Sequence, residues 1–254
     1  MDEFDFYISS NGRLIIPKYD INYLIDMTAS TFPNMPEAAE NSARIAGRDG
    51  DMVLSTTYQP LSFNIVCYTE DNLTPEEKSE ETRKINRFLN EMKNSFKKFA
   101  IQKDNIFYQV KYNGLLTPTN FPKHIQFSIP LKSSNSYGFA IGKKEILGNG
   151  TLESNTIKEC GAVFTINGPA LNPIISLNDY SMEFSTAILE GATLIIDSNK
   201  STVTYIAPTG FKTNQMKYYN HQFPKIQNGT NELKVLSGID DDQQVKVEWY
   251  DLML

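Results

Sequence analysis

Two cysteines, two histidines and one tryptophan are all that this 254-residue chain offers of the side chains most used for metal binding, nucleophilic catalysis and sugar stacking. Cys67 sits in the strand-like run Phe63–Tyr68 and Cys160 stands before Gly161, far along the chain. A distant disulfide is formally open to them, but two free thiols of a reducing compartment are the expectation. His124 and His221 are 97 positions apart, and neither has a His, Cys or HExxH partner at ligand spacing, so both read as loop histidines. No GxGxxG, P-loop, GxSxG, EF-hand or zinc spacing occurs. Catalytic and metal residues are therefore expected to be none, cofactors none, and binding residues are not assigned. No apolar run approaches the ~20 residues of a membrane span, so no membrane insertion is expected. The acidic start, Met1–Phe6, lacks the basic and apolar regions of a secretory signal. The expectation is a chain made and kept in a cytosol, where the Asn-x-Thr triplets at Asn72, Asn149 and Asn228 have no glycosylation context. A net charge of −6 argues against a general nucleic-acid binder, which needs clustered Lys and Arg.

What the chain does have is core material. Its 40% hydrophobic content, with 15 Phe and 13 Tyr, excludes a disordered chain, and its length suits one large or two modest domains. Three carboxylate or aromatic clusters suggest chemistry and are read as structure. Asp240–Asp242 lacks the glycine and spaced ligands of a Ca²⁺ loop and reads as a solvated turn. Glu76–Glu77 and Glu80–Glu81 fall on the polar face of a surface helix, where they repel one another rather than form an acid/base pair. Trp249–Tyr250 could stack on a sugar, but strand alternation puts Trp249 on the apolar face with Val245 and Val247.

The pattern predicts a mostly β chain with one helix. Asn11-Gly12 marks a tight hairpin between Ile8 and Leu14–Ile16. Between Thr28 and Gly50 the hydrophobic period disappears, which predicts a long loop of the kind that is functional or ordered by a partner. Strand signals resume at Thr56–Pro60 and Leu61–Val66. Thr74-Pro-Glu-Glu77 combines an N-cap, proline at the first helical position and a capping-box glutamate. The following helix carries an apolar stripe of Ile85, Phe88, Leu89, Met92 and Phe96, expected to lie on a sheet. Phe99–Ile101, Ile106–Tyr112 and Ile125–Leu131 read as further strands. The polar break Lys132–Ser136 places a division between a domain 1–136 and a domain 137–254. The second domain shows no helical period. Its strand candidates are 157–159, 162–167, 174–177, 180–184, 192–197, 202–206, 217–219, 231–236 and 244–249, closely and regularly spaced as in a β-sandwich. All five arginines lie at or before Arg87, a bias toward protein contacts in the first half.

The order of these features resembles the distal tail protein family of long-tailed phages that infect Gram-positive hosts. The resemblance is carried by Ile45-Ala-Gly-Arg-Asp-Gly50, by strand Leu61–Val66 followed by the helix and the Asp104–Tyr108 strand entry, and by Gly191–Asp197 and Phe223–Asn231 in the second half. It spans almost the whole chain. It implies an N-terminal α+β belt domain, with its helix packed on a β-sheet, that closes into a homo-oligomeric, hexameric ring, and a C-terminal galectin-like β-sandwich projecting outward. It also implies a non-enzymatic structural role in the virion tail, assembled in the host bacterial cytoplasm. The ring would join the tail tube or other tail proteins to receptor-binding or tail-fibre proteins, with viral DNA passing through unbound. The alternative is a carbohydrate-binding module that recognises host cell-wall glycan through the sandwich. Galectins bind sugar with a cluster that includes arginine, and none follows Arg87, which weakens that alternative. The chain also has no room for the large inserted carbohydrate-binding modules of some family members.

Overall fold

The computed structural model describes residues 3–32, 35–44, 51–70, 72–116 and 118–253. The chain divides into two compact units, one ending at Ile141 and the other spanning Gly142–Met253.

The first unit holds β1 (Phe6–Ile8), β2 (Arg13–Ile16), β3 (Ile21–Ile25), β4 (Ala38–Arg44), β5 (Asp51–Tyr58), β6 (Ser62–Tyr68), α1 (Pro75–Asn94), β7 (Lys97–Ile101), β8 (Ile106–Tyr112), β9 (Thr119–Asn120), β10 (Ile125–Ser133) and β11 (Gly138–Ala140). The β1–β2 hairpin turns at Gly12, whose φ of +74° is the left-handed conformation that glycine adopts without steric cost. The main sheet runs β11-β8-β7-β1-β2-β3-β6-β10-β9, and β10 also pairs with β8 through Leu131↔Tyr112 and Ser133↔Val110. That second pairing closes the strip from β8 to β10 into a seven-stranded barrel, with the short strands β11 and β9 beside the other ends of β8 and β10. β1 and β7 pair in parallel, Phe6↔Phe99 to Ile8↔Ile101, and the connection between them includes α1. Parallel neighbours require such a crossover.

α1 begins as its sequence dictates. Thr74 Oγ1 accepts from the Glu77 N–H at 3.3 Å, and the Glu77 carboxylate accepts from the Thr74 N–H at 2.7 Å. Ile85, Phe88, Leu89 and Met92 are buried, with Phe88 edge-on to Phe6 at 5.0 Å and to Tyr19 at 6.0 Å. Phe6 in turn stacks on Phe99 at 4.8 Å, joining helix and parallel seam in one aromatic core. The last member of the predicted stripe, Phe96, falls two positions beyond the helix. α1 ends at Asn94, Ser95 is extended, and Phe96 is 48% exposed with the Lys111 ammonium over its ring at 5.6 Å.

The predicted long loop Thr28–Gly50 is corrected in part. Residues 38–44 form β4, paired antiparallel with β5 from Ala38↔Tyr58 to Arg44↔Asp51. Its Ala, Asn, Ser and Glu side chains are mostly exposed and so carry no hydrophobic period. The Ile45–Gly50 turn that contributed to the family resemblance lies outside the described residues.

The second unit holds β12 (Lys144–Leu147), β13 (Gly150–Ser154), β14 (Cys160–Gly161), β15 (Val163–Asn167), β16 (Ala170–Leu171), β17 (Ile174–Leu177), β18 (Tyr180–Glu183), β19 (Ala187–Ile188), β20 (Thr193–Asp197), β21 (Thr202–Ile206), β22 (Lys212–Asn214), β23 (Lys225–Ile226), β24 (Gly229–Ser237), β25 (Val245–Trp249) and β26 (Leu252–Met253). A six-stranded sheet, β12-β25-β15-β20-β21-β22, and a four-stranded sheet, β13-β24-β17-β18, enclose one apolar core that includes Phe164, Leu194, Leu233, Val247 and Trp249. This is the β-sandwich expected from the spacing of turn signals.

Its strands depart from expectation in several places, short additions such as β22 among them. Residues 138–140 join β8 of the barrel, Phe139↔Phe107, which carries the division five residues beyond 136. The expected strand 157–159 is irregular, held instead by Ile157 N–H donating to the Leu252 carbonyl. The expected strand 217–219 is largely a turn of 3₁₀ helix, Met216–Tyr218, initiated by Met216 N–H donating to Asn214 Oδ1 at 2.9 Å. β12 and β13, short and rich in charge and glycine, gave no pattern strong enough to read.

Candidate assembly surface

β4 and β5 form a sheet of their own, an arm of two strands with no third neighbour among the described residues. Met52 is 40% exposed and Leu54 60%, and Tyr58 at the base is also exposed. A bulge between Asn41 and Ser42 adds twist. The cross-links within the arm are polar, Asn41 Nδ2 to Ser55 Oγ at 3.1 Å and Thr57 Oγ1 to the Ala39 carbonyl at 3.3 Å. A two-stranded hairpin is marginal in water unless it packs on something more. At its root the arm is tied by Ser136 Oγ donating to the Tyr58 carbonyl at 2.7 Å and by the Tyr58–Tyr137 ring contact at 6.0 Å.

The outer face of α1 is the second exposed feature of this unit. Glu76, Glu80, Arg83 and Arg87 follow helical spacing along one stripe beside the turn Pro17–Asp20, and together they border a groove of about 720 Å³. Two other cations of the groove are committed. Lys84 pairs with Glu81 at 2.8 Å, and Lys18 pairs with Glu91 at 2.6 Å, which also accepts from Tyr19. Lys18 first, then Tyr19, hold the Glu91 carboxyl below its ordinary range. Arg83 and Arg87 have no hydrogen-bond or ion-pair partner among the described residues.

The residues that the sequence singled out for possible chemistry are dispersed into structural roles. Among the described residues no group of three or more His, Cys, Asp or Glu is placed to hold a metal. Cys67 and Cys160 are buried free thiols, and burial pushes both upward in pKa. His124 stacks on Phe121 at 4.8 Å, and His221 is exposed in irregular backbone with φ +62°. Asp241 caps a 3₁₀ turn, and Asp242 accepts from the Asn149 N–H and Nδ2 at 3.1 and 3.0 Å. Of the paired glutamates, Glu77 serves the cap. Glu81 is half-buried rather than solvated, accepting from the Tyr23 hydroxyl at 2.7 Å.

Trp249 is 4% exposed, and its indole N–H donates to Asp251 Oδ1 at 3.0 Å, so its ring is core rather than a platform for sugar. Asp251, which the sequence reading missed, collects Trp249, Ser154 Oγ at 2.6 Å, the Asn155 N–H at 3.2 Å and the Lys144 ammonium at 2.6 Å. Burial pushes its carboxyl upward, and the bonds from Lys144, Ser154, Asn155 and Trp249 outweigh that and hold it below the usual range.

The two C-terminal motifs that carried the family resemblance each lock a turn. Asp197, closing β20, accepts from the Asn199 and Lys200 N–H groups and from Lys200 Nζ at 2.8 Å, which folds the chain back into β21. Asn231 is fully buried. Its Oδ1 accepts from the Gln227 N–H and Asn178 Nδ2, while its Nδ2 donates to the Gln227 and Gly229 carbonyls. Every hydrogen-bonding position of that amide is filled, as a buried amide requires.

No family model and no curated protein sequence matches the chain. Solved structures do match its fold. The Dit protein (gp 19.1) of phage SPP1, described as a paradigm of the hub adsorption apparatus in Gram-positive-infecting phages, aligns at a TM-score of 0.67 with 9% identity, covering 91% of this chain and 94% of that one. A chain of the phage P2 baseplate in its activated conformation with Ca aligns at 0.54 with 8% identity, covering 94% and 93%. The same baseplate with Sr aligns at 0.53. The chain shares its fold with these phage hub and baseplate proteins.

Proposed function

We propose that the protein is a structural subunit of a bacteriophage tail, in which copies join through the barrel unit into a closed ring of six at the distal end of the tail tube. The ring connects the tube to receptor-binding or other adsorption proteins. The observation that carries this reading is the β4–β5 arm, a strand pair with exposed side chains such as Met52 and Leu54 and no third strand beside it among the described residues. Free strand edges invite pairing with another chain, and in a rotationally closed assembly each arm finds the next copy. The reading agrees with a fold shared over nine-tenths of the chain with a phage hub protein. The role needs no catalysis. A net charge of −6 per copy suits a conduit that phosphate must leave, because like charge does not retain passing DNA. Light scattering and negative-stain microscopy of the purified chain test the proposal. Six-fold rings support it, and a monomer at every concentration contradicts it.

A further inference from the structure

The ring proposal leaves open what an arm docks against, and two charge patterns point to an answer. On α1, chain order reads Glu76, Glu80, Arg83, Arg87, a stripe that is acidic at one end and basic at the other over about 16 Å at 1.5 Å per residue. On the arm it reads Glu37, Glu40, Arg44, all exposed, over about 23 Å at strand rise. Laid antiparallel, the stripes put Glu37 and Glu40 by Arg83 and Arg87, and Arg44 by Glu76 and Glu80. Laid parallel, they would oppose like charges. The different lengths lie within reach of extended arginine side chains. A strand set edgewise along a helix also presents carboxylates from both of its faces.

Within one chain the patterns do not satisfy each other. No ion pair or hydrogen bond joins the arm's Glu37, Glu40 or Arg44 to the α1 stripe among the described residues. Arg83 and Arg87 are like charges four residues apart, an arrangement that weakens a helix on its own. Their planar forks suit bidentate carboxylate capture, and the groove between α1 and Pro17–Asp20 leaves them accessible.

We infer that the α1 groove is the docking site for the β4–β5 arm of a second copy of this chain, with Glu37 and Glu40 of that copy held by Arg83 and Arg87. The inference rests on the ring reading and specifies its interface.

Its test is a charge-swap pair in the full-length protein. One variant carries R83E/R87E and the other E37K/E40K. All four side chains are exposed, and unchanged thermal unfolding of each variant confirms folding. Each variant alone sets like charge against like where residues 37 and 40 meet residues 83 and 87, so assembly should weaken at least tenfold by analytical ultracentrifugation. Mixed one to one, every alternating contact again joins opposite charges, and rings of even copy number should return. Variants that assemble as well as the parent chain, or fail to recover on mixing, overturn the docking site while leaving the ring intact. A parent chain that never self-associates overturns the ring reading itself, and the docking site with it.

Discussion

The indole N–H of Trp249 meets Asp251 Oδ1 at 3.0 Å, two residues on, and this contact fixes both the end of β25 and the segment that follows it. Through the same carboxylate the chain grips Lys144, Ser154 and Asn155, so one buried acid fastens three separate stretches of the sandwich. Replacing Asp251 with Asn removes the charge but keeps the shape. The variant should lose about 1–3 kcal/mol, read as a lower melting temperature, because its donors lose a charged acceptor in a buried setting.

The same carboxylate sets an acid limit. Its folded-state pKa lies below the unfolded value of ~3.9, so its stabilisation is fully present above that value and drains away as pH falls through the folded one. Circular dichroism across an acid titration should show the parent chain losing stability below about pH 4. The Asp251→Asn variant, lower throughout, should show a shallower loss over the same range. Parallel curves would rule Asp251 out as the source.

Thr74→Ala removes one half of the capping box at α1 and should cost about 1 kcal/mol in thermal unfolding without altering assembly. Phe99→Ala opens the seam where Phe6 and Phe63 converge at 4.8 and 5.9 Å and should cost about 3–5 kcal/mol.

How far the sequence can be read follows from where each element finds its stability. α1 was legible to the residue at its start because the cap, the proline and the glutamate act locally, and nothing distant overrides them. Its end was less so. Phe96 continues the helical period in sequence, but the chain turns extended at Ser95 to enter β7. The arm was illegible as a strand pair. Residues such as Ala39, Asn41 and Ser42 bury no consistent face, so no period of two marks them. The same polarity made the stretch stand out as a long segment in need of a partner. The barrel closure was invisible for another reason. It rests on β8 pairing with β10 across an intervening loop, a tertiary fact that leaves no local trace.

Thiol chemistry provides an inexpensive check on the core. Cys67 and Cys160 are buried, Cys67 completely, and burial holds both thiols in the neutral form. A thiol-reactive dye should label neither in the native protein on a timescale of minutes and both after denaturation. Rapid labelling of the native chain would contradict the packing described for β6 and β14.

Deleting the arm's outer half, or replacing Met52 and Leu54 with Lys, should leave the monomer's melting temperature nearly unchanged. Both side chains are exposed within one copy, and such surface changes stay within about ±0.5 kcal/mol. Assembly should fail in both variants. A variant that melts much earlier would place these residues in the monomer's own core.

The most direct test of the account is native mass spectrometry of the purified full chain at micromolar concentration, joined to electron microscopy of the same sample. The account predicts a closed ring of six copies that disappears when the arm is altered. A monomer at all concentrations, or a ring indifferent to the arm, would contradict it.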